Sequence, residues 1–238
     1  MGQYKEAVQA FNESLKREPK HADTWFYRAK AKADMKDYAG AESDFSKAME
    51  LRNDVPAYYY YRGEMYANQK KYKAALADFE KTIKLQPTFA DAINYKGVML
   101  ASMGDHPQAI DFYNQAIEKK PDFALAYYNK ATSLAALNQF EAAENDFNEA
   151  LRLQSDYNEA LINRGNVRFM LQKYREAIQD YTKALASKPD NGDIYYNRAF
   201  SYQRLNEVDK ACADWLKAMQ LEHPAAADML KQYCEHQK

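Results

Sequence analysis

Asn129, Asn163 and Asn197 stand 34 residues apart, and Asn166 follows Asn163 by three. A carboxamide carries two donors and an acceptor. A row of them at constant spacing can pair with the main chain of a peptide whatever its side chains. Aromatic rings precede this row: the run "YYYYRG" covers residues 58–63, with Phe26 and Tyr27 one period before Tyr60 and Tyr61, and Tyr95 and Tyr128 after them. Tyrosine offers a large contact area with a polar tip. Both sets suit recognition better than bond-making chemistry.

Signs of catalysis are sparse. His21, His106, His223 and His236 are too scattered to give metal-ligand spacing. There is no glycine-rich phosphate loop and no nucleophile elbow. The acidic residues read as solvated helix faces, so no enzyme activity, catalytic residue, metal or cofactor is expected. Net charge is −1, from 33 basic and 34 acidic residues mixed along the chain, which is no footprint for nucleic acid. No apolar run approaches the ~20 residues that cross a bilayer.

The elements that would hold these side chains show in the spacing. Ala7, Ala41, Ala75, Ala109, Ala143, Ala177 and Ala211 recur every 34 residues, each followed four places later by a ring: Phe11, Phe45, Phe79, Tyr113, Phe147, Tyr181 and Trp215. A small residue recurs at Ala29, Gly63, Gly97, Ala131, Gly165 and Ala199. Pro19, Pro87, Pro121 and Pro189 fall near the ends of units, where a helix must stop. Only seven glycines and seven prolines occur, so turns are short and the bulk is helical.

This period and the small–aromatic spacing resemble the tetratricopeptide repeat (TPR) family, in its bacterial form, over essentially the whole chain. The resemblance implies an all-α fold, a right-handed α-solenoid superhelix of antiparallel helix pairs with a concave groove. The expected organisation is a second helix of a truncated repeat in residues 1–21, repeats at 22–55, 56–89, 90–123, 124–157, 158–191 and 192–225, and a capping helix at 226–238. Within each repeat the first helix covers about places one to fourteen and the second about eighteen to thirty-one, counting Ala22 as place one.

In such stacks the groove is lined by places two, five, six, nine, twelve and thirteen. Phe26, Tyr27, Tyr60, Tyr61, Tyr95 and Tyr128 then face a ligand, together with Asn129, Asn163, Asn166 and Asn197, while Tyr58 packs on the preceding repeat and Tyr59 lies in the core. Small residues at place twelve, Ala33, Ala67, Ala101 and Ala135, leave room for an extended peptide. The asparagines resemble the ladder in the TPR arm of O-linked N-acetylglucosamine transferase; amides that brace neighbouring helices are the competing reading. Asp23, Asp34, Glu64, Asp91, Glu159 and Asp193 outnumber Lys30 and Arg204, so a neutral or basic peptide is favoured over an acidic one. The carboxylate clamp of co-chaperones is rejected, since Ile162 stands where its lysine belongs.

Place seven is basic in every repeat: Arg28, Arg62, Lys96, Lys130, Arg164 and Arg198. Sixteen residues later stands Asp44, Asp78, Asp146, Asp180 or Asp214, but Phe112 in the repeat of Lys96. This reads as a structural ion-pair ladder rather than a binding stripe.

Cys212 and Cys234 lie on either side of a turn near His223 and Pro224. In an antiparallel hairpin they face each other, within reach of a disulfide. Two small buried hydrophobes in a reducing compartment are the other reading. The cytoplasm follows from the second reading and an exported compartment from the first; resemblance to the end of exported bacterial TPR proteins favours the pair.

Met1 falls at place fourteen, so the chain is expected to be a segment of a longer protein, with an apolar flank open to a second copy or a neighbouring domain. The expected function is a non-catalytic protein–protein interaction scaffold that holds an extended peptide or a partner helix. A self-assembling structural module, or the recognition arm of an enzyme whose catalytic domain lies elsewhere, are the alternatives.

Overall fold

The computed structural model describes residues 2–234. Met1, His236 and the last part of the expected capping helix, residues 235–238, lie outside the described residues. Fourteen helices and no strand occur among the described residues: α1 (Gly2–Arg17), α2 (Ala22–Asp34), α3 (Tyr38–Leu51), α4 (Pro56–Asn68), α5 (Tyr72–Leu85), α6 (Ala90–Ser102), α7 (His106–Lys119), α8 (Ala124–Ala136), α9 (Phe140–Leu153), α10 (Asn158–Met170), α11 (Tyr174–Ser187), α12 (Gly192–Arg204), α13 (Val208–Gln220) and α14 (Ala226–Tyr233). They form two compact units divided between Lys120 and Pro121. In each unit the two helices of a repeat pack on each other, and successive repeats stack through neighbouring helices. First helices also meet first helices: α2 touches α4 in one unit, and α10 touches both α8 and α12 in the other. Each unit thereby presents a first-helix face.

Local chemistry explains the boundaries. Asp37, Asp105 and Asn191 accept hydrogen bonds from the backbone N–H of Gly40, Gln108 and Ile194, capping α3, α7 and α12. Pro56 opens α4, where its missing N–H costs nothing. First helices end in a left-handed residue: Lys36, Lys70, Gly104, Asn138, Gln172 and Asn206 all have positive φ. Only one of the six is glycine. The following N–H reaches back five residues, from Asp37 to Lys32 O and from Lys71 to Tyr66 O, each at 2.9 Å, closing the helix end.

The core lies between the two helices of each repeat and between repeats. Phe45, Phe79, Phe147, Tyr181, Tyr113 and Trp215 are almost wholly buried, each worth about 1.5–3 kcal/mol of removal from water. They press on the small residue of place eight in their own repeat. A Cβ built on Gly63, Gly97 or Gly165 would stand 2.9, 2.6 or 2.7 Å from the ring of Phe79, Tyr113 or Tyr181. The small residue is therefore a seat for a ring.

The ion-pair ladder runs through both units. Arg28–Asp44, Arg62–Asp78, Arg164–Asp180 and Arg198–Asp214 close at 2.6–2.7 Å, and Lys130–Asp146 at 3.1 Å. Burial pushes the Asp78 carboxyl above its usual range even beside Arg62. The pair therefore orders the helices more than it stabilises them. Lys96 lies over Phe112, 4.3 Å from the ring centroid, and pairs with Glu80 on α5 of the preceding repeat at 2.9 Å.

Candidate recognition face

Place six of each repeat lies on the first-helix face. It holds Tyr27, Tyr61 and Tyr95 in one unit and Asn129, Asn163 and Asn197 in the other. Tyr27 is exposed and the other five are partly buried.

Place five differs from expectation. Phe26 and Tyr60 are buried, at 5% and 9% exposure, because the adjacent position points inward at the next repeat. Tyr60 stacks on Phe89 at 4.9 Å between centroids and meets Phe79 and Tyr95 edge-on or tilted. Only its hydroxyl reaches outward, donating to Glu64 Oε1 at 3.1 Å. Tyr58 packs on the preceding repeat, its hydroxyl 2.5 Å from Asp23 Oδ1. Tyr59 lies at the edge of the core and not inside it. It is half-exposed, with its hydroxyl bonded to Asn53 O at 3.2 Å and Lys81 over its ring. Trp25 at the same place bonds Pro19 O and stacks under Arg28. Tyr59 and Trp25 thus close the loops before their helices and pack against the edge of the core.

In the first unit these side chains surround a cavity of about 430 Å³. Tyr61 and Tyr95 form aromatic walls, Ala33 and Ala67 leave the space, and Asp34, Glu64 and Lys30 supply charge. Lys30, a minority charge among the groove acids, has its Nζ 3.6 Å from the Tyr61 centroid. Burial raises the Glu64 carboxyl above the usual carboxylate range, partly offset by hydrogen bonds from Tyr60 and Tyr95 and by the charge of Lys30.

In the second unit two cavities, of about 210 and 280 Å³, share Asn166 and Met170. Phe147, Val167 and Ala135 line one; Phe169, Phe200 and Asn197 line the other. Met170 is 57% exposed. The amides are linked. Asn163 Nδ2 donates to the Tyr128 hydroxyl at 3.1 Å, and Asn197 Nδ2 to Asn166 Oδ1 at 3.3 Å. Asn166 Oδ1 also accepts from the buried Tyr181 hydroxyl at 2.7 Å. Tyr128 is further held by Tyr157, 4.8 Å away. Asn166 thus braces a core ring on the neighbouring helix, as the competing reading of the amides has it, and also lines both cavities. Single bonds leave Asn163 and Asn197 with unused donor and acceptor capacity.

Cys212 on α13 is bonded to Cys234 just beyond α14, with Cα atoms 5.9 Å apart. Trp215, Tyr233, Met229 and Leu230 pack beside the bond. His223 stacks on Tyr196 at 3.9 Å, and His21 caps α2 through Nδ1. Among the described residues no group of three or more His, Cys, Asp or Glu side chains is arranged to hold a metal, and no helix is long and apolar enough to cross a membrane.

Comparison with known proteins matches this geometry. Family models described as tetratricopeptide repeat match residues 1–56, 56–89, 90–123 and 112–145, and one described as TPR repeat matches 165–206. No protein of curated function matches the sequence. Among solved structures, YrrB, described as a TPR protein with an unusual peptide-binding site, is similar with a TM-score of 0.61 and 21% identity, over 77% of this chain and 95% of that one. PilW, a type IV pilus biogenesis factor, is similar at 0.77 and 16%, over 88% and 98%. MamA is similar at 0.65 and 20%, over 74% and 96%. At these identities the likeness concerns the fold. Repeat period, buried ring ladder, paired helices and matching family models lead to one conclusion: the chain belongs to the tetratricopeptide repeat family.

Proposed function

We propose that this chain is a non-catalytic protein–protein interaction scaffold that holds an extended peptide segment of a partner on the first-helix face. The observation that carries the reading is the second unit's juxtaposition of amides and cavities. Asn163 and Asn197 stand half-buried beside two open apolar hollows, while the rings of the second helices are sealed in the core. Amides bond a peptide main chain, and hollows on either side of Met170 take apolar side chains. The exposed thioether adapts to different residues. The similarity to YrrB, itself described as having a peptide-binding site, supports the reading.

The test is selection from a displayed library of random twelve-residue peptides on the intact protein. Retained peptides should lose about tenfold in affinity for Asn163→Ala/Asn197→Ala, two hydrogen bonds at ~0.5–1.5 kcal/mol each. They should be unaffected by Glu141→Ala on the exposed surface of α9. A library that yields no retained peptide, or peptides indifferent to the double substitution, overturns the proposal.

A further inference from the structure

The first unit's cavity differs chemically from those of the second. Its walls are the rings of Tyr61 and Tyr95, and its carboxylates are Asp34 and Glu64. Glu64 also differs from the ladder acids. Asp44 and Asp78 each hold an arginine at 2.7 Å, whereas the partners of Glu64 are the hydroxyls of Tyr60 and Tyr95. It is a half-buried carboxylate set among rings with no cation bonded to it. Asp91 adds a third negative charge within electrostatic reach. The nearby cation is Lys30, and its ammonium lies on a ring face at 3.6 Å and not on a carboxylate.

We propose that this cavity takes one arginine side chain of a partner's peptide, and that Lys30 occupies the ring face in the empty state. This rests on the peptide-binding reading above. A guanidinium stacks flat on tyrosine and spans a carboxylate with two parallel N–H bonds. Tyr61 and Tyr95 supply the faces, Glu64 the inner counter-charge and Asp34 the outer one. The alanines at place twelve, Ala33 and Ala67, leave room for the side chain to enter. Lys30 shows that the ring attracts a cation, and its longer-range charge keeps Glu64 compatible with burial until the arginine arrives. Binding displaces the ammonium into water, so Lys30 competes with the ligand.

Two substitutions should therefore act in opposite directions. The probe is N-acetyl-arginine amide, titrated into the isotope-labelled intact protein and followed by NMR, with N-acetyl-citrulline amide as the neutral isostere and N-acetyl-lysine amide as the alternative cation. The arginine derivative should shift the signals of Tyr61, Glu64 and Tyr95, and the citrulline derivative should leave them unchanged. Lys30→Ala should tighten binding about fivefold by freeing the ring face, and Glu64→Gln should weaken it by at least as much. Opposite signs from two variants cannot arise from a common loss of folding. Equal response to arginine and citrulline, stronger binding of lysine than arginine, or weaker binding by Lys30→Ala each overturns the assignment. Retained peptides that depend on Asn163 and Asn197, with an arginine derivative that leaves Tyr61, Glu64 and Tyr95 unmoved, remove this subsite and leave the peptide-binding reading standing. A library with no retained member removes that reading instead.

Discussion

At the scale of single residues, charge does two different jobs in this chain. Along the ladder each acid sits on its base at hydrogen-bond distance, shielded from water, and the gain in Coulomb energy is largely cancelled by desolvation. Asp78, held above its usual range by burial, is the clearest case. Asp78→Ala leaves Arg62 buried without its partner and should cost about 3–5 kcal/mol, whereas Arg62→Met/Asp78→Leu should cost much less than that. Urea denaturation of the two variants compares them directly; a double variant as unstable as the single one would contradict the cancellation. Around the first-unit cavity the carboxylates instead face tyrosine hydroxyls and open space. The difference between a paired and an unpaired acid separates the scaffold from the proposed subsite.

At the scale of helices, a repeat is a ring seated on a small residue. The Tyr113 ring is only 2% exposed and lies 2.6 Å from where a Gly97 Cβ would stand, so it has nowhere to swing. Gly97→Ala should destabilise by about 1–3 kcal/mol despite alanine's better helix propensity. In a Tyr113→Leu background the same substitution should cost clearly less, because the clashing edge is gone and only the Ala109 carbonyl, 3.1 Å away, still crowds the new methyl. Thermal unfolding followed by circular dichroism measures both. Helix ends obey the same logic. The left-handed residue at each first-helix end is imposed by the turn into the second helix, and Lys36, Lys70, Asn138, Gln172 and Asn206 accept it without being glycine. Packing of the pair outweighs a local cost of about 1–2 kcal/mol.

At the scale of the whole molecule, no helix pair hides its apolar side alone, so the last pair needs a cover. Helix α14 provides it, with Leu230, Met229 and Tyr233 over Trp215, and the Cys212–Cys234 bond ties it to α13 across a separation of 22 residues. Closing a loop of that length contributes about 3 kcal/mol in the chain-entropy account. Cys212→Ser/Cys234→Ser should lose that stability locally. Hydrogen exchange should rise in α12, α13 and α14 and stay unchanged in α2 to α5, since contacts in a stack are between neighbours. Faster exchange in α2 to α5 as well would show that the bond acts on more than the cap.

What the sequence determined by itself was the period, and with it the helix pairs, the ring and small-residue places and the acid–base ladder. A constant 34-residue spacing is a physical statement: within each unit successive repeats stack through the same pair of helices, so the places of one repeat carry over to the next. Helix ends followed to within a residue or two from caps, prolines and that register. Tertiary structure decided where neighbouring side chains on one helix point. Tyr60 and Tyr61 differ by one 100° step, and only the packing of the following repeat shows that the first ring is buried and the second lines a cavity. It also decided that Lys96 finds Glu80 on the preceding repeat, that Asn166 braces Tyr181, and that Lys30 lies on a tyrosine ring. Such contacts depend on distances between helices set by the bulk packed between them, which residue spacing along one chain does not encode.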